Sequence, residues 1–191
     1  MQQQAKAEAG RVVDADIAAG EAVSDAFEDN PLVRAAGWLS EMADQPPTVA
    51  INLSVIAAGL VAGDRRLTRT GVRMLVAHGL ATAVKTVVKH HVDRARPIVS
   101  APREAHRPTS GGRDGWSDSS FPSGHTAGAV AVARAVAREY PRAARPVYAG
   151  AAAVAVVQIP RGTHFPIDVV AGAVIGLVAE AVVARVLPAV E

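Results

Sequence analysis

Read for hydrophobic and polar positions, the chain divides into an amphipathic N-terminal part, a series of apolar runs and one long polar interruption. From Arg11 to about Asp44, Val12, Val13, Ile17, Ala22, Val23 and Phe27 recur at helical spacing among Asp14, Asp16, Glu21, Asp25 and Glu28. This predicts an amphipathic helix whose periodic charge marks a solvated face. Asn30-Pro31 interrupts it, and Leu32, Val33, Trp38, Leu39 and Met42 predict a second, shorter helix. After Gln45-Pro46-Pro47 come five apolar segments, at 48–63, 74–88, 126–140, 146–160 and 169–187. The first carries no charge and is a little short for a span, but acceptable with Pro47 and Asp64 at the interfaces. The second contains His78 and Lys85, which lipid would not accommodate, so they should face the bundle or snorkel. Residues 89–122 are polar, rich in proline, glycine, serine and arginine, and lack periodicity; a loop of that length inside a compact chain is usually functional or disordered. The expected fold is all-α: a bundle of about five apolar, transmembrane helices with an N-terminal amphipathic segment and one long polar loop. Residues 1–46 form that segment and 47–191 the helical body of a single domain.

Composition sharpens this picture. Hydrophobic residues make up 50% of the 191 but aromatics only 4%, so the apolar content is mostly alanine and valine, which suits close-packed helices. A formal charge of +2 suggests no nucleic-acid partner. Its distribution says more. Arg65, Arg66, Arg69 and Arg73 precede the second apolar run, and Arg134, Arg138, Arg142 and Arg145 cluster around the junction of the third and fourth. If all five segments span, both clusters fall on one side, which the positive-inside rule makes cytoplasmic; the N-terminal region, the long loop and the turn at 161–168 then face the other way. Arg134, Glu180 and Arg185 interrupt the apolar runs and keep a soluble helical bundle open as an alternative. Absent cysteine excludes a disulfide framework and thiolate metal sites. Residues 1–10 lack the charged start and apolar core of a signal peptide, so no cleavable export is predicted.

Three stretches carry candidate chemistry. Ser119 to His125, reading Ser-Ser-Phe-Pro-Ser-Gly-His, ends the polar loop and opens an apolar helix. Its free first-turn amides and positive dipole end form an anion site, with Ser123 as N-cap and His125 as a titratable proton donor. Alone, it is equally a serine-capped helix with a histidine in its first turn. Lys89 and Arg96-Pro97 are separated by six residues; a point charge and a planar fork can grip one tetrahedral anion from two sides, although a basic belt after a helix has the same composition. In Arg161-Gly162-Thr163-His164-Phe165-Pro166-Ile167-Asp168, Pro166 suits the first position of the last helix. Asp168, one turn beyond His164, can accept an imidazole N–H and fix which ring nitrogen faces outward, or simply complement the helix dipole.

Taken together, Lys89 with Arg96-Pro97, Pro122-Ser123-Gly124-His125, and His164 with Asp168 closely resemble the three-part signature of the type 2 phosphatidic acid phosphatase and vanadium haloperoxidase superfamily, in its membrane lipid phosphatase branch. The resemblance covers about Met74 to Leu187. It implies that His164 attacks phosphorus to give a phosphohistidine, that Asp168 orients it, and that His125 protonates the departing alcohol and later activates water. Lys89, Arg96, Ser123 and Gly124 would hold the phosphate oxygens. No cofactor or metal is implied: cations and amide dipoles around a phosphoryl group stabilise the transition-state charge. In the family an arginine stands six positions before the nucleophilic histidine; here that position is Gln158, and Arg161, three residues later, is the candidate substitute. Arg94, Arg103, Arg107 and Arg113, with His90, His91 and His106, match no common ligand spacing and are explained as charge around a phosphate site. Trp116 and Phe121 read as interfacial anchors or lid contacts. The expected activity is metal-independent hydrolysis of a lipid phosphomonoester or pyrophosphate by an integral protein of a plasma or inner membrane, acting at the non-cytoplasmic face. The expected partners are a lipid phosphate and the membrane, with no nucleic acid. A soluble acid phosphatase or vanadate-dependent haloperoxidase, and a non-catalytic lipid-binding protein suggested by Gln158, are the alternatives. Neither the particular lipid nor the oligomeric state follows from the residues.

Overall fold

Proline, glycine and short polar residues set the helix boundaries in a computed structural model that describes residues 1–112 and 115–188. Helix α1 (Gln2–Phe27) is followed by α2 (Pro31–Ser40), which begins where Pro31 occupies the first turn and Asn30 Oδ1 accepts from the Leu32 and Val33 amides at 2.9 and 3.2 Å. Helix α3 (Gln45–Ala62) stops at Gly63, whose φ of 65° is left-handed, and Asp64 caps α4 (Arg65–Lys89) through the Leu67 amide. Helices α5 (Gly124–Glu139), α6 (Ala144–Val157) and α7 (Pro166–Val186) complete the bundle. Strands β1 (Val92–Asp93) and β2 (Thr109–Ser110) pair antiparallel within the long loop. The all-α expectation holds. The helix boundaries differ in two places: α1 starts well before Arg11, and the first arginine cluster lies inside α4 rather than before it, because Asp64 supplies the cap.

Helix α5 packs against α4, α6 and α7 around a core of Ala77, Ala81, Ala127, Ala131, Ala179 and Val183. Such small side chains let helix backbones approach closely. At Gly176, an added Cβ would run into the Ala127 carbonyl, so α5 and α7 need glycine there to meet. Helices α3, α4 and α7 are long and apolar enough to cross a membrane; α5 and α6, at 16 and 14 residues, are shorter.

Helices α5 and α7 run parallel to each other and antiparallel to α4, which gives the bundle two chemically distinct ends. At one, Glu180 is fully buried and receives Arg73 at 3.1 Å, Arg134 at 3.0 Å and Arg138 at 2.7 Å, while Glu139 takes Arg73 at 3.0 Å and Arg69 at 3.4 Å. Arg134 and Glu180, which interrupt the apolar runs, therefore pair with each other instead of facing lipid; Arg185 stays exposed. The opposite end gathers the C-terminus of α4 and the N-termini of α5 and α7.

Over that second end the long loop is stitched down by its own backbone. Arg94 N donates to Asp118 O at 2.8 Å, Arg96 N to Ser117 O at 3.0 Å and Ser120 N to Arg94 O at 3.0 Å. Ile98 N reaches Gly162 O at 2.9 Å, and Ser123 N reaches Asp168 O at 3.0 Å. Helix α1 lies against this loop with three of its acidic residues directed to it, while Glu8 and Asp25 are exposed. Asp14 pairs with Arg107, Asp16 with Arg94 and Glu21 with His106. The expected solvated face is thus in part a docking face, while Val12, Phe27, Leu32, Trp38, Leu39 and Met42 are exposed.

Candidate active site

His164 and Asp168 straddle the start of α7. Pro166 fixes the first turn, and Asp168 Oδ2 accepts from the Phe165 amide at 2.8 Å, so the carboxylate caps the helix as well as facing the histidine. Ser120 Oγ donates to the same Oδ2 at 2.6 Å, and Arg94 Nη1 donates to Oδ1 at 2.6 Å. The direct partner of His164 Nδ1 is the Ser120 carbonyl at 2.6 Å, with Asp168 Oδ2 farther off at 3.8 Å. A ring nitrogen facing a carbonyl must carry the proton, so Nδ1 is the N–H and Nε2 keeps the lone pair. The orienting role expected of Asp168 alone is shared with a backbone carbonyl. His164 is 1% exposed, and burial, helped by the positive charges of Arg96 and Lys89, lowers its pKa to about 4 against the opposing pull of Asp168. At neutral pH the imidazole is uncharged and able to act as a nucleophile.

The cations converge on the same two short backbone segments. Lys89 Nζ donates to Ser119 O, next to the carbonyl that holds His164. Arg96 Nη1 donates to Thr163 O at 3.0 Å, next to His164 itself, while Nε donates to Trp116 O at 2.7 Å and the guanidinium lies 4.4 Å from the Trp116 ring centroid. Burial lowers the Arg96 pKa to about 10, which still leaves it charged. Trp116 therefore stacks on Arg96 rather than standing alone in the loop. Ser123 is fully buried as N-cap of α5; its Oγ lies 2.9 Å from Thr126 Oγ1 and accepts from the Thr126 amide at 3.4 Å. An added Cβ at Gly124 would come 3.3 Å from Lys85 Nζ. The awkward lysine of α4 thus points to the α5 N-terminus, a position its placement in an apolar run did not reveal.

The position six residues before His164 is structural. Gln158 is fully buried; its amide donates to Val154 O at 2.9 Å and to Ser40 Oγ at 3.2 Å, and its Oε1 accepts from Thr163 Oγ1 at 3.0 Å. Arg161 reaches the same serine, donating to Ser40 Oγ at 2.9 Å and to Glu41 Oε1 at 2.6 Å. Glu41 Oε2 stands 3.6 Å from His125 Nε2, so Arg161 and His125 flank one carboxylate. Glu41, Asp44 and His125 each offer a ligand atom within 4.8 Å of the others, which makes a chelator arm necessary in any assay. Beside Arg161 and Glu41 opens a cavity of about 610 Å³, lined also by Phe27, Arg34, Trp38 and Ile98.

Over residues 70–190 the sequence matches the PAP2 superfamily. The chain belongs to that superfamily. PAP2 membership fits the all-α bundle, and two solved structures share the fold. The transmembrane PAP2-type phosphatidylglycerolphosphate phosphatase of Bacillus subtilis superposes with a TM-score of 0.67 at 20% identity, covering 92% of this chain and 86% of that one. LpxE of Aquifex aeolicus gives 0.59 at 18% identity, over 87% and 92%. No curated protein matched the sequence significantly.

Other loop residues lie differently from the expected halo of charge around phosphate. Arg94 binds carboxylates on both sides, Arg103 and Arg107 reach Asp14 on α1, and His106 pairs with Glu21 at 3.1 Å. His90 and His91 bond through Nδ1 to carbonyls of α4, each at 2.7 Å. Arg107 pairs with the Asp14 carboxylate and Arg103 meets the Asp14 backbone carbonyl, which draws these two toward α1, whereas Arg94 bridges Asp16 of α1 and Asp168 at the start of α7. Arg113 lies outside the described residues. Ser120 lies inside the Ser119–His125 stretch and Arg94 among the loop arginines read as charge around a phosphate site, but nothing in the sequence pairs either with Asp168; the signal was proximity, three positions before Ser123 and two before Arg96.

Proposed function

We propose that this PAP2 protein is a membrane phosphatase that hydrolyses a lipid phosphomonoester or pyrophosphate at the non-cytoplasmic end of its helix bundle. The observation that carries this is His164: its Nδ1 is tied to the Ser120 carbonyl with Asp168 behind it, and Lys89 and Arg96 bond to the backbone positions on either side. Nε2 of His164 attacks phosphorus and the ester oxygen leaves, taking a proton from His125; the phosphohistidine is then hydrolysed by water that His125 deprotonates. Lys89, Arg96, Arg161, the Ser123 hydroxyl and the amides at Gly124 hold the phosphoryl oxygens, stabilising charge without a metal. Three membrane-length helices and the arginine clusters at the other end of the bundle support the location and sidedness. The name of the Bacillus subtilis relative puts glycerophosphate lipids on the substrate panel beside polyprenyl phosphates and lipid A-type phosphates. The test is phosphate release from that panel by detergent-solubilised protein with chelator present. Turnover that vanishes in His164→Ala supports the proposal; undiminished turnover in that variant, or an absolute metal requirement, overturns it.

A further inference from the structure

We infer that Asp16, on the N-terminal helix, is a positioning residue of the hydrolytic site: it fixes Arg94 and the first turn of α7, and through them the Asp168 carboxylate behind His164. The inference rests on the phosphatase reading of His164 and Asp168. Asp16 is 6% exposed and lies outside the stretch that matches the superfamily. Its Oδ2 accepts from Arg94 Nη2 at 2.6 Å and its Oδ1 from the Ile167 amide at 2.8 Å. The remaining donors of Arg94 are engaged too: Nη1 with Asp168 Oδ1 at 2.6 Å and Nε with His106 O at 2.8 Å, while the Phe165 ring lies 4.0 Å from the guanidinium carbon.

The charge count explains why two carboxylates serve one arginine. With Asp168 alone, Arg94 would form a neutral pair and draw the carboxylate's charge away from the imidazole. With Asp16 present the buried trio is net negative, so Asp168 keeps an uncompensated charge 3.8 Å from His164 Nδ1. That charge favours the imidazole N–H and the positive ring that forms when Nε2 bonds to phosphorus. Helix α1 is shaped to deliver Asp16. Gly20 and Ser24, at successive four-residue steps on the same face, sit against the Phe165 ring and Gly162, where side-chain bulk at Gly20 or Gly162 would collide. Ile17 is fully buried beside them.

The experiment compares wild type, Asp16→Asn, Arg94→Gln, the double variant and Glu8→Gln, an exposed control on α1, in one detergent with a lipid phosphate substrate. Expected is a fall in kcat of roughly tenfold or more for Asp16→Asn with KM unchanged, since small displacements of reacting groups carry penalties up to about 10²-fold. The double variant should be no slower than Arg94→Gln alone, because both act through one linkage. Wild-type kcat in Asp16→Asn, a change confined to KM, or additive losses would overturn the inference. An NMR titration of His164 in the same samples decides it without turnover. Removing the Asp16 charge should move the midpoint downward, Lys89 and Arg96 being untouched; superimposable curves overturn it. Absence of turnover in wild type would instead defeat the phosphatase reading and leave the titration to judge Asp16.

Discussion

Replacing Arg161 by alanine asks whether the cation beside the pocket does the work that the family assigns to the position of Gln158. A charge-assisted hydrogen bond to a phosphoryl oxygen is worth about 1.5–3 kcal/mol. Arg161 already holds Ser40 Oγ and Glu41 Oε1, and must loosen its grip on Glu41 to take a substrate oxygen. The Glu41 side chain is 47% exposed, and ion pairs of that kind contribute only about 0–1 kcal/mol. The net loss on removing Arg161 is then about 1–2 kcal/mol, or roughly 5–30-fold in kcat/KM. Steady-state phosphate release measures it, with Glu41→Gln as partner variant: removing the competing carboxylate should lower KM by a few fold. Gln158→Arg should not raise activity, because it would bury a second cation among groups already bonded to one another, and its thermal stability should fall. Wild-type kcat/KM in Arg161→Ala would refute the claim that this arginine serves the pocket.

Further expectations follow from the same geometry. Because the His164 pKa is lowered to about 4, its neutral form persists as pH falls from 7 to 5; the acid limb of kcat/KM, corrected for the substrate's own ionisation, should have its midpoint near 4, and a His164 limb near 6.5 would contradict this. Ser120→Ala removes the 2.6 Å bond to Asp168 Oδ2 but leaves the carbonyl that holds His164, so kcat should fall by roughly 5–30-fold, about 1–2 kcal/mol; unchanged kcat would show that the hydroxyl is dispensable. Glu180→Ala leaves the buried Arg73 with Glu139 as its remaining carboxylate and takes the shared carboxylate from Arg134 and Arg138, which should cost roughly 1.5–3 kcal/mol in unfolding, read by thermal or denaturant melts, with little effect on KM in the folded fraction.

Much of this site was legible because its parts are local. Ser123 as N-cap, Pro166 opening α7, and the placement of Lys89, His125 and His164 at helix termini all follow from residues within a few positions of one another. The antiparallel order of the helices then brings those termini to one end. What stayed hidden depends on distant partners. Arg94 looks like any loop arginine until Asp16, 78 positions away, is beside it, and Arg73 finds Glu180 across 107 positions. The inward turn of Asp16 and Glu21 makes part of the expected solvated face of α1 a docking face, because periodic charge does not say whether a basic loop lies opposite. The Ser120 carbonyl was invisible for another reason: backbone acceptors leave no mark in side-chain patterns.

The central claim is that His164 becomes covalently phosphorylated. Rapid quenching of the solubilised protein with a lipid phosphate labelled in the phosphoryl group should trap acid-labile, base-stable label on the peptide containing His164, absent in His164→Ala and formed with chelator present. Steady turnover without such an intermediate, or label on any other residue, would contradict it.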